Sequence, residues 1–245
     1  MTSPDPVADV VRELDERLER LPANDPRRPF LATYRRTTEA VGAAIDRGFF
    51  EDGPWVARWD AAFAQLYLVA HDADAGGGRP SRPWRLAFSA PAELPALRHV
   101  LLGINAHVNY DLPQALIAVI PPGDFADERL MASRRRDHER IDAVLAGRVE
   151  DEDGELRAGR SRLDTLLAPL NRRASRRFLA EARGKVWHNV GELHAARLDG
   201  PAAYDSRLAE LEVLVAVRIA DLLAPGQVLL RLAVAGFGVV LPPSG

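Results

Sequence analysis

Two histidine–aspartate pairs repeat the same spacing. His107 and Asp111 fall in the run Gly103-Ile104-Asn105-Ala106-His107-Val108-Asn109-Tyr110-Asp111-Leu112-Pro113, and His138 and Asp142 in Asp137-His138-Glu139-Arg140-Ile141-Asp142. On a helix, residues four apart lie one turn above each other, so each imidazole can meet its carboxylate. Such a pair can offer one nitrogen and one oxygen ligand. Two pairs from facing helices could hold a divalent metal: zinc, manganese or iron. The metal would polarise a substrate oxygen or acidify a bound water. Without metal, Asp111 can orient His107 as a general base, with Asn105 or Asn109 binding an oxyanion. The third use is structural, a hydrogen-bonded pair and nothing more.

The surroundings favour a site. From about Leu94 to Ile120 the chain is otherwise apolar, and the stripe Val100, Ile104, His107, Asp111 and Ala115 turns the first pair inward. Buried polar groups left unpaired cost roughly 1–3 kcal/mol each, so a cluster of them calls for partners or a ligand. Asn105 and Asn109 form a second four-residue pair on another side of the same segment. Ile141 and Leu145 lie on the side of His138 and Asp142, which turns that pair towards the core too. A weaker pair is His188 and Glu192, where Gly184, Gly191 and Ala195 would let another helix approach. Trp84, Tyr110, Arg134 and His188 are the candidate substrate contacts. The other tryptophans, Trp55, Trp59 and Trp187, read first as core.

Elements able to position these groups follow from helical periodicity and from glycine and proline breaks. Asp5-Pro6 opens a helix through Leu21, and Pro22 to Pro29 breaks it. A second helix runs from Phe30 to Arg47 and stops at Gly48, and a third runs from Trp55 to His71. Asp72 to Pro83, with three glycines, reads as a loop. Pro95 to Ile120 is one long apolar helix that Pro113 kinks or restarts, and Phe125 to Arg148 another. The acidic run from Glu150 to Glu155 reads as a solvated loop. Helices over 161–170, 171–197, 203–223 and 227–234 complete the set. The expectation is one all-α, bundle-like domain over 1–245 with seven to nine helices. It divides into an N-terminal helix and linker (1–29), a core (30–200) and C-terminal helices (201–245).

Bulk composition narrows the function classes. The 245 residues carry a net charge of −3, which gives no global attraction to nucleic acid or anionic membrane. There is no cysteine, so thiolate catalysis and disulfides are excluded. The acidic N-terminus is unlike a signal peptide, and no apolar window approaches a membrane span of ~18 residues. A cytoplasmic protein acting on a small molecule is expected. No phosphate-binding glycine loop, dinucleotide fingerprint or nucleophile elbow is present.

The run from Gly103 to Pro113 resembles a bacterial family, the domain of unknown function numbered 5995. Gly48-Phe49-Phe50-Glu51-Asp52, Trp84 with Ala87-Phe88, and Asp137-His138 before Val144-Leu145 carry the same resemblance, over about residues 30–200. It implies a helical domain and supplies no activity. The paired donors are also similar to those of all-α zinc-dependent phospholipases C, although the full ligand set of those enzymes is missing. The leading expectation is therefore a small-molecule enzyme, in its most concrete form a metal-dependent ester or phosphoester hydrolase. Two alternatives stand beside it: a metal-free isomerase or cyclase using His107–Asp111 as base, and a non-catalytic ligand-binding or helical interaction protein.

Overall fold

Asp5 starts the first helix as expected. Its Oδ1 accepts the backbone N–H groups of Val7 and Ala8 at 3.0 and 3.2 Å, and Pro6, with no N–H to satisfy, takes the first helical position. The computed structural model describes residues 5–156, 183–226, 236 and 238–243. In it α1 (Pro6–Arg20) buries Val7, Val10 and Leu14 against α2 (Arg28–Asp46) and α3 (Gly53–Ala75). Gly48 ends the α2 region with φ of 68°, while the Phe49 N–H reaches back to the Ala44 carbonyl at 3.0 Å. This is the left-handed glycine stop that a side chain would oppose.

The turn after Gly48 is held from a distance. Asp52 caps α3 through the Trp55 N–H at 2.9 Å. The fully buried Asp137 accepts the backbone N–H groups of Glu51 and Asp52 at 2.7 and 2.8 Å. The aspartate beside His138 is thus a structural clasp between α7 (Glu128–Leu156) and the start of α3.

Between α3 and α7 the chain forms α4 (Arg82–Phe88), α5 (Ala96–Ala106), a π-turn (His107–Asp111), α6 (Leu112–Val119) and a 3-10 turn (Pro122–Ala126). A helix over 183–199, here α8, and α9 (Pro201–Leu223) follow. Among the described residues the regular elements are all helical and none is a strand. No helix among them is long and apolar enough to cross a membrane. The segment from α5 to α6 sits centrally: α2, α4 and α9 pack on α5, and α3 packs on α6. Leu31, Leu68, Leu102, Leu116, Leu211 and Trp84 fill the interior between them.

Two sequence expectations change. The stretch expected as one loop from Asp72 to Pro83 contains the end of α3 and the first two residues of α4, whose first free N–H, on Arg82, is bound by Glu212 Oε1 from α9 at 2.7 Å. The acidic run is not a loop: α7 continues through it to Leu156, with no proline in the segment to force a stop. Pro113 restarts the helix, the second of the two readings open to it: it lies in the first turn of α6, directly after a π-turn in which the Leu112 N–H bonds the His107 carbonyl five residues back. Proline supplies no N–H to the carbonyl of residue 109, and the wider turn accommodates that gap. The helices expected over 161–170 and 227–234 lie outside the described residues.

Candidate active site

The π-turn carries the first pair into the interior. His107 Nδ1 lies 2.9 Å from Asp111 Oδ2, and both side chains are buried. The same oxygen accepts the indole N–H of Trp84 at 2.8 Å. An indole can only donate, and an ionised carboxylate can only accept, so with Asp111 ionised the proton on this edge of the imidazole sits on Nδ1. The other nitrogen, Nε2, then carries a lone pair, and it is buried without a hydrogen-bonding group of the protein. Burial lowers the His107 pKa against the opposing pull of Asp111, and it raises the Asp111 pKa against the two donors. The result is a neutral imidazole of fixed tautomer with one basic atom unengaged.

Rings surround that imidazole. Phe63 lies flat on it, with centroids 3.6 Å apart and planes 6° from parallel. Tyr34 meets it edge-on at 4.5 Å, and Phe30, Trp84 and Tyr67 stand at 5.9, 5.9 and 6.0 Å. Gly103, one turn before His107 in α5, lets Phe30 in: a Cβ there would overlap the Phe30 ring.

A carboxyl that the spacing argument missed belongs to the same region. Asp60 interrupts the apolar stripe Val56, Asp60, Phe63, Tyr67 of α3, and it is buried with Oδ2 lacking a partner. Burial alone pushes its pKa up to about 7, so it exchanges a proton near neutral pH. Tyr34 links it to the dyad. The Tyr34 pKa is raised well above its ordinary value, first by burial and next by the nearby Asp60, with Asp111 contributing. The Tyr67 hydroxyl is also buried without a partner, and the Tyr34 hydroxyl lies beside Thr38, whose hydrogen bonding offsets part of the rise. A lone acid in the middle of an aromatic stripe was the available signal.

The second pair does not form. Asp142 is ion-paired with Arg183 instead, and His138 packs edge-on against Trp59 and Trp187 at 5.2 and 5.7 Å, with Nδ1 unpartnered. Burial holds His138 neutral, its pKa lowered to about 3. Among the described residues no three histidine, aspartate or glutamate side chains gather as a metal-ligand group, so the two pairs do not share one set of donors.

The remaining candidates take other places. Asn105 donates to the Leu101 carbonyl at 2.8 Å and accepts from Asn109 at 3.2 Å, so the two amides form a ladder along the turn. Trp84 holds Asp111 rather than standing alone as an aromatic wall. Tyr110 is half-buried on the side of Tyr204 and Glu212 of α9, its pKa raised by burial. Arg134 is paired with Asp52 at 2.6 Å and lies over the Trp55 ring. His188 bonds the Leu241 carbonyl at 2.9 Å through Nε2, beside Asn189, whose amide takes the Val239 carbonyl and the Leu241 N–H at 3.0 and 2.9 Å. These two residues clamp the C-terminal segment to α8. That segment passes close to the π-turn: at Gly238, with φ of 94°, a Cβ would lie 3.2 Å from Asn109 Oδ1.

A family model described as "Family of unknown function (DUF5995)" matches residues 7–225, and the chain belongs to that family. The match extends at both ends beyond the 30–200 span that the sequence motifs suggest. No curated protein and no solved structure matches the chain.

Proposed function

We infer that this member of the family is a small-molecule enzyme whose site moves protons without a metal, an isomerase or cyclase built on His107. The observation that carries the reading is the unengaged Nε2 of a buried, neutral imidazole whose other nitrogen is fixed by Asp111 and Trp84. A general base needs that arrangement: a set tautomer, a lone pair held ready, and a pKa kept low enough to stay unprotonated. Asp60 supplies the complementary acid, since a carboxyl with a pKa of about 7 holds a proton over part of the neutral range. The Tyr34 hydroxyl, kept un-ionised by burial, is available as a hydrogen-bond donor to a developing oxyanion.

The substrate class follows from the walls. Phe30, Tyr34, Phe63, Tyr67 and Trp84 around one base suit a compact, largely apolar molecule with a carbonyl group. His107 Nε2 would remove a proton from the carbon next to that carbonyl, and Asp60 would return one to another atom of the same substrate. A metal-dependent ester or phosphoester hydrolase would need further donors beside His107 and Asp111 than the described residues gather there. The acidic, cysteine-free sequence is in keeping with a cytoplasmic setting.

Proton transfer can be tested without knowing the substrate. The protein is incubated in D2O with the small-molecule fraction of a cell extract, and metabolites that gain deuterium at carbon are sought by mass spectrometry. Enrichment that depends on wild-type protein and disappears in a folded His107→Gln variant is the expected result. Equal deuterium uptake with and without the protein would sink the reading.

A further inference from the structure

A cleft of about 480 Å³ opens at the start of α5, and its lining shares no residue with the surroundings of His107. Its walls come from the segment before α2, the first turns of α2, and the chain leading into α5. That volume is in the range of small-ligand sites.

His99 lines this cleft. The residue is only 5% exposed, and neither ring nitrogen reaches a protein partner in hydrogen-bond geometry. Burial lowers its pKa against a smaller opposing pull from the Leu94 backbone, so the ring is neutral and offers one donor and one acceptor. α5 begins at Ala96 after Pro95 with no side-chain cap, and Ala96 and Leu97 both line the cleft. The first N–H groups of a helix and its dipole favour negative charge there. Arg28 and Arg36 add cationic lining. Arg28 is anchored to the Leu18 and Leu21 carbonyls at 2.8 and 2.9 Å. The one acidic residue of the lining, Asp25, is bound by Arg27 at 2.7 Å. The rest of the wall is mainly apolar: Leu94, Leu97 and Val100, with Leu97 60% exposed.

We propose that this cleft binds a small organic carboxylate, its charged end at the start of α5 beside His99, its apolar tail along Leu94, Leu97 and Val100. The site is separate from the His107 dyad and does not depend on the activity assigned there. A neutral imidazole donor beside a helix start suits a single carboxylate, and the apolar walls suit a short hydrocarbon chain.

The test uses the full-length protein with 15N-labelled histidine, titrated with hexanoate, with hexanol and with inorganic phosphate. Hexanoate should shift the His99 ring signals saturably, and hexanol should bind at least tenfold more weakly. Leu97→Asp, at an exposed position, should weaken hexanoate binding at least tenfold with an unchanged urea melt. His99→Ala should remove the interaction if it folds; Leu97→Asp decides the matter if it does not. A His99 signal unmoved by millimolar hexanoate, an unaffected Leu97→Asp, or phosphate binding as tight as hexanoate would each overturn the assignment.

Discussion

Phe63 and His107 lie face to face, centroids 3.6 Å apart, yet Phe63 is only half-buried while His107 is buried. One side of the phenyl ring therefore covers the imidazole while another part of the residue meets solvent. Reaching that face of His107 requires the ring to swing aside. Phe63→Ala should speed carbethoxylation of His107 by about tenfold, equivalent to ~1.4 kcal/mol of opening free energy. Peptide mapping after timed reagent exposure reads the rate at His107 alone. An unchanged rate would mean that Phe63 is no cover.

Asp111→Asn separates charge from shape. Trp84 and His107 meet the same oxygen of Asp111, so an amide oxygen in that place can still accept from both, while the NH2 group takes the place of the other oxygen. The Nδ1–H tautomer should therefore persist, and only the negative charge that supports a protonated imidazole is lost. The 15N shifts of His107 report the tautomer directly, and a proton moved to Nε2 would contradict the prediction. Loss of charge assistance to two buried bonds should cost roughly 1–3 kcal/mol, with proton-transfer activity reduced even where the fold is kept.

Asp60 makes stability depend on pH in a direction that can be worked out. Its folded pKa is raised to about 7 from an ordinary value of 3.8, so between those values the folded state holds more proton than the unfolded state. Stability therefore rises as pH falls from about 7 towards 3.8, and is lowest above 7. Asp60→Asn mimics the protonated carboxyl and removes this dependence. The variant's advantage in urea melts should grow by up to ~1.4 kcal/mol per pH unit from pH 4 to 7 and then level off. His138, lowered to about 3 by burial, contributes the opposite acid-side slope to both proteins and cancels in the difference. An Asp60→Asn protein less stable than wild type at pH 8 contradicts the prediction.

Gly103 tests the packing behind the site. Alanine is the better helix former by ~1 kcal/mol, but a methyl at this position would overlap the Phe30 ring. Overpacking costs typically ~1–3 kcal/mol, so Gly103→Ala should destabilise despite its propensity. Adding Phe30→Leu should recover part of the loss, because the smaller side chain vacates the collision. Urea denaturation of the two single variants and the double variant measures that coupling.

How far the sequence could be read depends on the range of each interaction. The His107–Asp111 bond follows from a four-residue spacing inside one element and was legible. The same spacing failed at His138 and Asp142, because Arg183 and Trp187, more than forty positions away, supply the surroundings. Periodicity says which residues share a face but not what that face meets. Trp84 is the same lesson in reverse. It read as an aromatic contact, and a partner 27 residues further on makes it a donor to Asp111. Asp60 escaped notice because it has no companion at helical spacing; its signal was its isolation. The all-α class was legible because most of the described helices are marked by apolar periodicity and glycine or proline ends; the start of the short α4 and the acidic end of α7 lack that periodicity and read as loop. The π-turn was not, since its cause, Pro113 with its missing N–H, is equally compatible with a kink.

That π-turn makes the dyad a matter of chain length as much as of residue identity. Such a turn is an α-helix carrying one surplus residue, taken up locally by its wider hydrogen-bonded ring. Deleting Val108 would let α5 and α6 merge into a continuous helix, yet His107 and Asp111 would become three apart and the wide turn that presents them to Trp84 would be lost. Homologues that share every side chain of the site but differ by one residue within this span would present a different interior. Within the family, a single-residue insertion or deletion here is a more radical event than most substitutions.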